Sequence, residues 1–73
     1  MKKRDRMFEL KTLMTEKIKA ISGNPQFVCF EMFGLDSGTG VAEDLNHKGR
    51  VYIGECYVIN DTPKCNLRIF TEV

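Results

Sequence analysis

Two periodicities divide this chain. Between Lys2 and Ser22 the apolar residues Met7, Leu10, Met14, Ile18 and Ile21 share one narrow stripe when residues are spaced about 100° apart, as in an α-helix. Leu13 borders the stripe, and Asp5, Glu9, Glu16 and Lys19 lie around the far side. The pattern predicts an amphipathic helix over residues 7–22, preceded by a basic arm over 1–6. Gly23 stands where a left-handed residue ends a helix, and Pro25 blocks continuation. A coiled-coil seam fits less well, because its heptads place Lys17 in the core.

From Gln26 the period becomes two. The segment QFVCFEMF is a strand apolar on both faces, with Phe27, Cys29 and Phe33 flanking Glu31 on one side and Val28, Phe30 and Met32 on the other. Residues 50–73 read as a hairpin of two β-branched and aromatic arms, RVYIGECYVI and KCNLRIFTEV. A four-residue loop, Asp61 to Lys64, pairs Asn60 with Cys65, Val58 with Leu67, Cys56 with Ile69 and Tyr52 with Val73 on one face almost free of charge. The other face then carries Val51, Ile53, Glu55, Tyr57 and Ile59 against Asn66, Arg68, Phe70 and Glu72, with Tyr57 opposite Arg68. A one-residue slip is the competing register.

Residues 35–49 admit two readings. Leu35-Asp36-Ser37-Gly38 and Asn46-His47-Lys48-Gly49 both fit turns closed by a left-handed glycine, which makes Thr39–Leu45 a strand with Val41 opposite Met32 and Leu45 opposite Val28. The alternative is a short helix from Val41 to Asn46, on propensity alone. The strand is preferred for its two matching turns. The expectation is an α+β domain, residues 1–73, in which an N-terminal amphipathic helix packs on a three- to four-stranded antiparallel β-meander over 26–73.

Composition narrows the class. With 73 residues, 42% hydrophobic and 29% charged, the chain is one globular domain with a modest core. The net charge of +1 hides an asymmetry: residues 1–20 hold seven Lys/Arg and three acids, the remainder four and seven. No apolar run is long enough for a membrane span, and the start MKKRDR does not lead into a signal-peptide block, so a soluble cytoplasmic protein without membrane contact is expected. Cys29, Cys56 and Cys65 show no metal-type spacing. In the preferred register Cys56 and Cys65 are not opposite each other, so all three are expected to be reduced core residues.

Candidate chemistry is sparse. Asp36-Ser37-Gly38-Thr39-Gly40 resembles the catalytic loop of aspartic proteases, which implies two copies meeting across a dimer. As D-x-G-x-G it also resembles the first motif of S-adenosylmethionine-dependent methyltransferases, which implies a longer, parallel-stranded fold. The plain turn is the preferred reading, and no family is recognised. His47, with no nucleophile or second ligand near it in sequence, is expected to be a solvated turn residue. Glu31 and Glu55 sit among apolar neighbours and are either carboxylates of a site or residues on a solvated sheet face.

These features favour a small non-catalytic interaction or regulatory protein without metal or cofactor, such as a phage-type inhibitor of a larger machine. It is expected to form a homodimer by pairing two outer sheet faces, with Ile53, Tyr57, Ile59, Arg68 and Phe70, the same face or the edge of the last strand being also the surface for a protein partner. The alternative is a nucleic-acid-binding accessory factor using Lys2, Lys3, Arg4, Arg6 and Lys11. A small dimeric enzyme using Asp36, Glu31 or Glu55 is the third reading.

Overall fold

In the computed structural model, which describes residues 2–72, one helix lies across one face of a four-stranded antiparallel sheet. The elements follow in the order α1 (Lys3–Ala20), β1 (Pro25–Met32), β2 (Ser37–Asp44), β3 (Arg50–Ile59) and β4 (Thr62–Thr71). The spatial order of the strands is the chain order, a meander. The α+β architecture expected from the periodicities is therefore the one observed, with four strands and with residues 37–44 in a strand instead of a helix.

The helix starts earlier than its apolar stripe. Lys3–Arg6, expected in an arm, are helical, with Asp5 placed in the first turn and Lys17 and Lys19 in the last. Each charge faces the helix pole of opposite sign. Leu10, Met14 and Ile18 are fully buried on the sheet, and Leu13 packs beside them. Ile21 lies beyond the last helical turn and is exposed. At the C-terminus the left-handed residue is Ser22 (φ 68°), not Gly23. Ser22 N–H donates to the Lys19 carbonyl and Gly23 N–H to the Ile18 carbonyl, the two bonds of a Schellman closure. Gly23 is needed for space: a Cβ there would stand 2.6 Å from Ile18 Cγ2 and 2.8 Å from the Tyr52 hydroxyl oxygen.

The registers differ from those expected. The β3–β4 loop has two residues, Asn60 and Asp61, both left-handed (φ 51° and 60°), as a type I′ turn requires. Ile59 therefore pairs with Thr62, Tyr57 with Lys64, Cys56 with Cys65, Ile53 with Arg68 and Tyr52 with Ile69. Val73, expected opposite Tyr52, lies outside the described residues. The face assignments survive, because the offset between expected and observed registers is even. In β1 a bulge between Phe27 and Cys29 reverses the parity, so Phe27 pairs with Ala42, Cys29 with Val41 and Phe30 with Gly40. Val41 thus faces Cys29 and not Met32, while Leu45 lies beyond β2 and is exposed. The bulge brings Phe27 and Phe30 to the same, helix-covered side, where their rings meet edge-on at 6.3 Å. Gly49 (φ 81°) closes the β2–β3 turn as expected; Gly38 lies inside β2.

Candidate functional site

Three sets of residues carry what chemistry the fold offers. The first is the open edge of β4. In an antiparallel ladder, hydrogen-bonded and non-hydrogen-bonded pairs alternate. The two-residue turn makes Ile59–Thr62 a bonded pair, so Val58–Pro63, Cys56–Cys65, Gly54–Leu67 and Tyr52–Ile69 are non-bonded pairs. Pro63 fits there because its missing N–H is not needed by β3, and Val58 N–H turns away from β4 to the Asp36 carbonyl, 2.8 Å. It follows that the N–H and C=O groups of Cys65, Leu67, Ile69 and Thr71 point out of the sheet along the free edge. Above them Ile69 and Ile21 are exposed, 51% and 43%, beside a groove of about 430 Å³ between β4 and the end of α1. The opposite edge, β1, begins at Pro25 and is broken by its bulge.

The second set is the sheet face away from the helix. Ile53, Tyr57, Arg68 and Phe70 all lie on it, as expected, and Ile59 has the same parity at the hairpin tip. Arg68 stands over the Phe70 ring at 5.8 Å. The row Glu31–Thr39–Glu55–Asn66 crosses the face as a polar band between Tyr57 and the apolar residues Val41 and Ile53. Glu31 and Glu55 are exposed in that row, so both are residues of a solvated sheet face.

The third set surrounds Asp44, the one buried charged residue among those described. Its carboxylate accepts hydrogen bonds from Tyr52 Oη (2.5 Å), Asn46 N–H (2.8 Å), Asn24 N–H (3.0 Å) and His47 Nδ1 (2.9 Å). Burial pushes this carboxyl upward in pKa, but the bonds, led by that from Tyr52, outweigh it and hold the group well below the usual carboxylate range. Tyr52 is pushed up by its own burial and by Asp44. The cluster ties the end of α1, the start of β1 and the β2–β3 turn together. Here the sequence reading is corrected: His47 is a half-buried partner of Asp44, not a freely solvated turn residue. Asp44 had no signal beyond its place before a turn, because its donors come from three separate segments.

The remaining sequence candidates are dispersed. Asp36 is on the β1–β2 loop, ion-paired with Arg6 Nε at 3.2 Å. Only Asp36 of the Asp36–Gly40 stretch is in that loop, since Ser37–Gly40 belong to β2. Gly38 and Gly40 lie under the Phe30 ring, where a Cβ would come within 3.0 Å and 2.6 Å of it. Arg6 also bonds Glu9 at 2.7 Å, and Lys11 Nζ sits 4.9 Å over the Phe27 ring, whereas Lys2, Lys3 and Arg4 are exposed. Cys29 is exposed, contrary to expectation, and Cys56 and Cys65 are buried in direct opposition, contrary to the expected register.

Among the described residues no helix is long and apolar enough to cross a membrane, and no group of three or more His, Cys, Asp or Glu is placed to hold a metal ion. No protein-family model, curated protein or solved structure matches the chain.

Proposed function

We propose that this chain is a non-catalytic interaction protein of the cytoplasm that works as a homodimer, joined along β4. The observation that carries this reading is the difference between the two sheet edges. β1 is blunted by a proline and a bulge, devices that discourage strand addition. β4 has a proline of its own, Pro63, beside the hairpin turn, but from Lys64 to Thr71 it runs without proline or bulge, and apolar Ile69 and Ile21 flank its outward-pointing backbone groups. A two-fold axis through this edge pairs β4 antiparallel with its copy, extends the sheet to twice its width and keeps both helices on one side. Ile21 and Ile69 of the two copies then cover each other. The combined outer face, bearing Ile53, Tyr57, Arg68 and Phe70, is the surface offered to a protein partner in a regulatory or inhibitory role. Sedimentation analysis at micromolar protein tests the dimer: a monomer at all concentrations refutes it.

A second reading rests on a different groove. Phe8, 72% exposed, forms with Lys11, Lys19 and Phe27 a basic, aromatic-lined recess of about 330 Å³ along α1, the helix whose start carries the exposed Lys2, Lys3 and Arg4. That combination suits a single-stranded nucleic acid, with bases on the rings and phosphates on the lysines. Fluorescence anisotropy with mixed-sequence DNA and RNA at low salt decides it. Absence of binding at tens of micromolar protein removes this reading and leaves the dimer untouched.

A further inference from the structure

Cys56 and Cys65 are directly opposite each other at a non-hydrogen-bonded position of the β3–β4 ladder. Strand backbones approach most closely at such positions, with Cα atoms about 4.5 Å apart, inside the range a disulfide spans. The two side chains bring their sulfur atoms against each other, buried from bulk water. They are not sealed off: the groove beside β4, lined by Lys17, Ala20, Ile21, Leu67 and Ile69, reaches Cys65. Cys29 lies on β1, two strands from Cys56 and three from Cys65, and is exposed, so it takes no part in the pair.

We infer that Cys56 and Cys65 form a redox-active dithiol that a small peroxide, entering by the groove, oxidises to a cross-strand disulfide. Cys65 is the residue oxidised first, since it borders the groove. The hydrogen bond from Cys56 holds its thiol below the ordinary value, with help from Lys17 and against burial, while the same bond pushes Cys56 up. The Cys65 thiolate forms an S–O bond as the peroxide O–O bond breaks, and hydroxide leaves to become water. The Cys56 sulfur then attacks the sulfenic sulfur; the S–S bond forms, the S–O bond breaks, and a second water departs with the Cys56 proton. Two thiols lose two protons and two electrons, and one peroxide becomes two waters. A reversible disulfide of this kind is the sort that cytosolic proteins use for sensing. It would close the hairpin covalently beside the edge that the dimer uses.

The test uses the Cys29→Ser protein, in which only the pair remains, treated with hydrogen peroxide and measured as intact mass and as a non-reduced digest. The expected product has lost two hydrogen masses, joins the β3 and β4 peptides, and reverts with dithiothreitol. Because a second copy on β4 would cover the groove, Cys29→Ser/Ile69→Lys is treated in parallel and must give the same product. Oxygen added to either cysteine without the link, or an unchanged mass in both proteins at a dose that consumes the thiols of the urea-unfolded chain, overturns the inference. Neither result depends on whether the protein dimerises.

Discussion

Met14 lays its thioether on the bare backbone of Gly54. A Cβ at Gly54 would come within 3.0 Å of Met14 Cε and closer still to the sulfur, and one at Gly40 would stand 2.8 Å from the same sulfur. The helix sits low on the sheet because these two neighbouring strands carry no side chain beneath it. Gly54→Ala should therefore cost about 1–3 kcal/mol through overpacking. Met14→Ala should cost about 2–5 kcal/mol through the cavity it leaves. In the double variant the new methyl partly fills that cavity, so its loss should be smaller than the two separate losses combined. Urea denaturation of the four proteins measures the coupling; strict additivity would mean that the two residues do not share a contact.

Asp44 should make stability depend on pH on the acid side. Its folded pKa lies below that of the unfolded chain, near 3.9 for an ordinary Asp. The folded state thus binds the proton less readily, and the contribution is complete above about pH 5. It declines as the pH falls through the ordinary carboxylate range toward the folded value. Asp44→Asn should lower Tm at neutral pH and flatten the acid limb between about pH 5 and pH 2. Thermal melts across that interval, compared with Asp36→Asn as a control on an exposed carboxylate, give the result.

Asp61 holds the second left-handed position of the β3–β4 turn (φ 60°). Glycine reaches that conformation without the steric cost an L-residue meets. Asp61→Gly should stabilise the protein by about 0.5–1 kcal/mol, the relief of strain outweighing the greater freedom of the unfolded chain. Chemical denaturation shows this as a raised midpoint with an unchanged slope.

The edge and the outer face make opposite predictions for two charged substitutions. Ile69→Lys places a cation on the rim of β4, a common guard against strand pairing, and should give a folded monomer. Tyr57→Asp lies on the other side of the sheet and should leave the dimer intact while weakening capture of a protein partner. Circular dichroism checks folding, and sedimentation velocity reads the mass. A dimer that survives Ile69→Lys and is lost with Tyr57→Asp would place self-association on the outer face.

How much of this could be read from the chain turns on what alternation encodes. The stripe Leu10, Met14, Ile18 identified the helix and its buried side, because the helical repeat brings those residues together wherever the helix begins. The extra turn at Lys3 is not legible in the stripe, because Lys3, Arg4, Asp5 and Arg6 contribute no apolar residue to it and only Asp5 suits the N-terminal pole. In β3 and β4 the period of two sorted Tyr52, Cys56, Cys65 and Leu67 from Ile53, Tyr57, Arg68 and Phe70 correctly.

The same period could not fix the register. Sliding one strand by an even number of residues keeps every side chain on its face, so alternation is blind to the shift. Two left-handed residues, Asn60 and Asp61, settled it by making the loop two residues long, and this set Cys56 against Cys65. In β1, QFVCFEM is apolar on both sides and so offers no contrast from which to place a bulge; the packing of Phe27 and Phe30 under the helix placed it. Asp44 acquired its role from donors brought together across the fold. Element types, and the faces of α1, β3 and β4, are local properties of side-chain spacing, and the sequence determined them by itself. Register, bulge and buried carboxylate depend on which distant groups meet, and only the tertiary structure decided those.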